Sequence, residues 1–68
     1  MKNSLKVERA KLNMTQAELA DKVQVSRQTI NAIELGKYNL STMLALKIGE
    51  VFGVSVNEIF ELEESDRL

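Results

Sequence analysis

The sequence predicts an all-α domain of five short helices, and three observations carry that prediction. Serine or threonine stands ahead of apolar runs as a helix cap, and glycine closes two of the runs. The apolar residues repeat at helical spacing, and every valine falls within or beside a helical period, so no strand is expected. Proline is absent, which leaves helix continuity unbroken.

The first helix is expected at about Asn3–Leu12, with Leu5, Arg9 and Leu12 at i, i+4 and i+7 on one face. The second is Gln16–Val23. Thr15 and Glu18 have the T-x-x-E spacing of a capping box, and Met14 and Leu19 the spacing of a hydrophobic staple. This helix buries Leu19, Ala20 and Val23, and the small Ala20 side chain lets a second helix cross closely. The third helix, Arg27–Leu35, starts from Ser26 with the staple pair Val25 and Ile30, buries Ile30 and Ile33, and stops at Gly36. Two helices so short and so close leave room only for a tight turn, so MTQAELADKVQVSRQTINAIELG (Met14–Gly36) reads as a helix-turn-helix. After the loop Gly36–Leu40, a fourth helix spans about Thr42–Phe52, with Leu44, Ile48, Val51 and Phe52 inward and Gly53 as its stop. The fifth opens with another capping box, Ser55 and Glu58, and another staple, Val54 and Ile59, and runs to about Leu62. Residues 1–62 thus make one domain, and the acidic tail Glu63–Leu68 is expected to fray.

Sixty-eight residues with 44% apolar content lie near the lower limit for a chain that folds on its own core. Cysteine and histidine are absent, which excludes disulfides, the usual zinc sites, thiol catalysis and histidine acid–base chemistry. No glycine-rich phosphate cradle exists, and the carboxylates lie at caps or in the tail, so no enzyme, no metal and no cofactor are expected. No apolar run is long enough to span a bilayer, and the first residues lack the apolar core of a signal peptide, so a cytoplasmic protein without a membrane is expected. The formal net charge is −1, but residues 1–40 carry +3 and residues 41–68 carry −4. The basic part contains the helix-turn-helix, so the balance does not argue against a nucleic-acid partner.

Arg9 sits on the apolar stripe of the first helix, and Glu34 sits beside Ile30 and Ile33 on the third. Opposite charges on facing apolar stripes are expected to pair, because an unpaired buried charge is costly. A salt bridge between Arg9 and Glu34 is therefore expected; the alternative is an Arg9 that reaches to solvent without a partner.

At about 100° per residue, the arc opposite Ile30, Ile33 and Glu34 holds Arg27, Gln28, Asn31, Ala32 and, near its end, Leu35. Arg suits guanine and Gln or Asn suits adenine, and these residues lie toward the helix end that enters the major groove in such motifs. A surface helix is also polar outside for solubility alone. Gln16, at the start of the second helix, combines a helix N-terminus with a side-chain amide and suits a phosphate. The loop residues Lys37, Tyr38 and Asn39 add a cation, a phenol and an amide beyond the third helix. A phosphate clamp explains that mixture, and a plain surface turn explains it nearly as well.

The segments TQAELADKVQVSRQTINAIELGKYN and LALKIGEVFGVSVNEIF resemble the phage repressor/Cro-type (XRE-like) helix-turn-helix family, and SRQTINAIE followed by GKYN matches its small stand-alone prokaryotic members. The resemblance covers nearly the whole chain. It implies a five-helix, lambda-repressor-like DNA-binding domain acting as a homodimer on a two-fold, palindromic double-stranded DNA operator. It also implies phosphate contact at Gln16, base or backbone contact at Ser26, Arg27, Gln28 and Asn31, backbone contact near Lys37–Asn39, and the buried Arg9–Glu34 pair. Two departures stand out. Gln24 occupies a turn position where the family often has glycine, which would place a non-glycine residue in a left-handed conformation. Leu40 and Thr42 replace the usual proline and leucine and leave the start of the fourth helix open.

Apolar residues remain once the core is filled: Met43 and Leu46 on the fourth helix, and Val56, Phe60 and Leu62 around the fifth. A homodimer through Val56, Phe60 and Leu62 is expected, the alternative being that Phe60 completes the core. The expected function is a sequence-specific transcriptional regulator, a repressor acting by occupancy, with no small-molecule ligand because no effector domain fits. The alternative is a protein-interaction or antitoxin-like adaptor whose acidic C-terminal half meets a partner.

Overall fold

The computed structural model describes residues 1–67. Five α-helices appear as expected: α1 (Leu5–Lys11), α2 (Gln16–Val23), α3 (Arg27–Glu34), α4 (Thr42–Phe52) and α5 (Val56–Ile59). They are joined by a minimal antiparallel sheet, β1 (Lys2–Asn3) with β2 (Phe60–Glu61), and a 3₁₀ turn at Glu64–Arg67.

The starts follow the caps. Thr15 Oγ1 accepts from the Glu18 N–H at 3.0 Å while Glu18 Oε1 accepts from the Thr15 N–H at 2.9 Å, so the capping box is closed on both sides. Ser26 accepts from the Thr29 N–H at 3.1 Å, and Ser41 from the Leu44 N–H at 3.1 Å. Ser41 thus fixes α4 at Thr42, although the family's proline is missing. In α5, Glu58 Oε2 accepts from the Ser55 N–H at 2.8 Å.

Four helices end in the same paired way. A left-handed residue turns the chain back, and the next N–H reaches a carbonyl one turn inside. In α3, Gly36 at φ 74° lets its own N–H reach Ile33 O and the Lys37 N–H reach Ala32 O, both at 2.9 Å. Gly53 does the same for α4. The other two closures use non-glycine residues, Asn13 at φ 52° after α1 and Gln24 at φ 62° after α2. The left-handed Gln24 is the expected one; its tight turn sets α3 against α2.

Leu5, Leu19, Ala20, Val23, Ile30, Ile33, Leu44, Ile48, Ile59 and Phe60 form the core. Val51 and Phe52 are partly buried at its edge. α2 packs on α3 and α4, and α4 packs on α5. The close approach of α4 to the following corner explains Gly49: a Cβ there would lie 2.9 Å from the Val54 carbonyl oxygen. Glycine to alanine inside a helix ordinarily stabilises by about 1 kcal/mol. Here the clash reverses the sign, and Gly49→Ala is expected to lose about 1–3 kcal/mol in a urea titration.

Several expectations need correction. The chain does form strands, two residues long and so too short for alternation to show: Lys2 pairs with Glu61 and Asn3 with Phe60. Asn3 is therefore a strand residue, and α1 begins at Leu5, whose N–H donates to Asn3 Oδ1 at 3.2 Å. Leu12 is not on a buried stripe; the helix stops at Lys11, and Leu12 lies in the closing turn, 55% exposed. α5 ends at Ile59 because Phe60 becomes extended to pair with Asn3. Phe60 is only 6% exposed and completes the core, so it does not stand on an outer face as a dimer contact. The tail through Arg67 is held rather than frayed: the Met1 ammonium pairs with Glu63 at 3.1 Å and Asp66 at 3.0 Å. Leu68, the last residue of that expected tail, lies outside the described residues.

Candidate nucleic-acid interface

The third helix divides as its sequence requires. Ile30 and Ile33 are buried, and Arg27, Gln28 and Asn31 are all exposed on the other side. Ser26 is exposed at the N-terminal end, with its hydroxyl already engaged: it caps the Thr29 N–H and lies 3.0 Å from the Thr29 hydroxyl. Lys37, Tyr38 and Asn39 are exposed immediately beyond the Gly36 turn, at the other end of the helix. The expected base-contacting residues and the expected loop residues are thus all exposed, at opposite ends of α3, with the exposed Leu35 between them.

Gln16 is the first residue of α2, where the sequence places it. Its side chain does not stand out alone at the start of α2 but bends across to α3. Nε2 donates to Asn31 Oδ1 and to Glu34 Oε1, both at 3.1 Å, and Oε1 accepts from Arg27 NH1 at 3.3 Å. The donors that would meet a phosphate are engaged within the protein. The first-turn N–H groups of Gln16 and Ala17 take no part in the capping box and lie at the positive end of the helix.

The Arg9–Glu34 pair forms. Arg9 Nε and NH2 donate to the two carboxylate oxygens at 2.6 and 3.0 Å, a bidentate geometry, and Arg9 NH1 donates to the Met14 carbonyl at 2.8 Å. Both side chains are largely buried, 13% and 8% exposed. Burial pushes the Glu34 carboxyl up, but the hydrogen bonds from Arg9 and Gln16 and the Arg9 charge outweigh it, and the group stays below its ordinary range. The hydrogen bond to Glu34 raises Arg9 in turn.

This fixes the direction of a pH effect. A depressed carboxyl contributes stability that is fully present above its unfolded pKa, about 4.3, and is lost as pH falls through the folded value. Arg9→Met is expected to lose about 2–3 kcal/mol at neutral pH. The gap between variant and wild type should narrow as the pH is lowered past about 4.3, where Glu34 protonates in the variant before it does in the wild type. Urea titrations at stepped pH values measure both curves.

No sequence signal gave the Gln16 bridge, because it depends on how α2 crosses α3. Asn3 was also missed: its Nδ2 donates to the Ile33 carbonyl at 2.8 Å and so ties β1 to the last turn of α3. No helix among the described residues is long and apolar enough to cross a membrane.

Known proteins resemble this chain in sequence and in fold. The helix-turn-helix family HTH_3 matches residues 5–59. An uncharacterized HTH-type transcriptional regulator of Methanocaldococcus jannaschii is 54% identical over 66 residues, covering 97% of this chain and all of that protein. YgzD of Bacillus subtilis, also described as an uncharacterized HTH-type transcriptional regulator, is 44% identical over 66 residues with the same coverage. A hypothetical transcription factor from Neisseria has the same fold, with a TM-score of 0.74 at 22% identity over 79% of this chain; the chain spans 61% of that neighbour's length. With a family match across most of its residues and relatives aligned from end to end, this chain belongs to the helix-turn-helix transcriptional regulators of the phage repressor/Cro (XRE) type, a DNA-binding class and not an enzymatic one.

Proposed function

We propose that the protein is a sequence-specific regulator that binds double-stranded DNA as a homodimer, with α3 in the major groove, and represses by occupying a palindromic operator. One observation carries this reading: three side chains with base-reading chemistry, Arg27, Gln28 and Asn31, are all exposed on the face of α3 opposite its buried isoleucines. In this reading those three meet base edges. Ser26, Lys37, Tyr38, Asn39 and the start of α2 at Gln16 meet the phosphates that flank them.

The second copy is assigned to the apolar groove on the α4–α5 side. Leu40, Leu46, Val56 and Phe60 line it, Leu46 being more than half exposed, and Leu62, half exposed, lines an adjoining hollow with Val56 and Phe60. Val56 and Leu62 keep their expected interface role, whereas Phe60 supports the groove from the core. A single module reads few base pairs, and a two-fold partner supplies the second half-site about one helical turn away. Cytoplasmic location, where the DNA is, completes the reading.

Selection from a random duplex pool tests it. The expected result is a consensus with two-fold symmetry and half-site centres about 10 base pairs apart. An asymmetric consensus would overturn the homodimer. A pool with no enrichment, even at low salt, would leave the acidic C-terminal half as the basis of an adaptor role instead.

A further inference from the structure

Gln16 stands at the centre of a hydrogen-bond relay from the buried ion pair to the polar face of α3. A carboxylate can only accept, so Glu34 Oε1, 3.1 Å from Gln16 Nε2, dictates that the amine end of the Gln16 amide faces inward. The same Nε2 then reaches Asn31 Oδ1, also at 3.1 Å. Glu34 is itself fixed, because Arg9 holds both of its oxygens and is anchored in turn to the Met14 carbonyl. The orientation therefore passes along the chain of contacts: Arg9 sets Glu34, Glu34 sets Gln16, and Gln16 sets Asn31.

The consequence concerns which end of Asn31 meets a base. Its carbonyl oxygen is taken up by Gln16, and its Nδ2 donates to no group among the described residues, so on this exposed residue the donor is the end left for a base. Building on the DNA-binding reading above, we infer that Glu34 is a specificity-positioning residue. Acting through Gln16, it presents Asn31 to the duplex as a hydrogen-bond donor. An outward donor suits base edges that offer acceptors, such as guanine O6 and N7, and opposes cytosine, whose major-groove edge offers the N4 donor.

The test uses the consensus duplex that the wild-type chain selects from a random pool. The base pair read by Asn31 is the one at which Asn31→Ala loses discrimination. The quantity measured is the ratio of Kd values for duplexes differing at that pair, one presenting guanine and one presenting cytosine. Gln16→Ala, which leaves the ion pair intact, is expected to reduce this ratio about tenfold. Glu34→Gln leaves one carbonyl oxygen for three donors and should reduce it similarly, while neither change should lower it further in an Asn31→Ala background. An unchanged ratio in Gln16→Ala, or equal losses in both backgrounds, overturns the inference. The relay is also read without DNA: the Gln16 side-chain amide signals in a ¹H–¹⁵N spectrum should move in Glu34→Gln, and unmoved signals overturn it. A wild-type chain that selects no consensus fails the DNA-binding reading itself, whereas a selected consensus with an unaltered ratio fails the relay alone.

Discussion

Replacing Arg27 with alanine is expected to weaken binding to the selected duplex by about 1–3 kcal/mol and to relax the sequence preference at the base pair it reads. Arg27 is the first residue of α3, exposed at the end that would enter the groove. Its NH1 contact to Gln16 at 3.3 Å orients the guanidinium without burying it, so the group remains available to a base. A guanidinium reads guanine through two parallel hydrogen bonds, and losing it removes discrimination along with affinity. Lys37 provides the contrast. It lies exposed beyond the Gly36 turn, and in the proposed complex it would meet phosphates rather than base edges. Lys37→Ala should weaken every duplex about equally and reduce the slope of log K against log salt by about 1. Competition binding across a panel of single-base variants separates the two behaviours. If Arg27→Ala left both affinity and preference intact, the base-reading face would lie elsewhere.

The second large effect concerns stability. Ile30→Ala is expected to cost about 2–5 kcal/mol. Ile30 is completely buried, on the inner face of the helix whose outer face carries Gln28 and Asn31. At about 0.05–0.15 kcal/mol per residue, a chain of this size has only about 3–10 kcal/mol in total. Removing three heavy atoms from the α2–α3 core therefore threatens the whole fold, and with it the recognition helix. A thermal melt followed by circular dichroism should shift downward by about 10–30 °C. Val7→Ala, at a position 55% exposed, is the control and should stay within about 0.5 kcal/mol.

The helices were legible in the sequence because their signals are local. Thr15 with Glu18 and Ser55 with Glu58 each define a start within four residues, and Gly36 and Gly53 each define a stop. The Arg9–Glu34 pair was legible for a different reason: a charge on an apolar stripe is costly without a partner, and Glu34 is an opposite charge on a facing stripe. What escaped depends on distant segments meeting. The β1–β2 ladder joins residues nearly sixty positions apart, and no two-residue strand carries a periodicity. Burial of Phe60 follows from that ladder, which turns the chain extended just where the helical pattern would have continued. The Gln16 bridge was hidden similarly, since an amide at a helix start looks like a phosphate ligand until the crossing of α2 and α3 brings Asn31 and Glu34 beside it.

The central claim is that the polar face of α3 occupies the major groove. Methylation interference on the selected duplex tests it most directly, because it marks guanine N7 in the major groove and adenine N3 in the minor groove. The expected result is that N7 methylation within each half-site blocks binding, and that the block at one guanine disappears in Arg27→Ala. Interference confined to adenine N3, with N7 methylation tolerated throughout, would contradict the account.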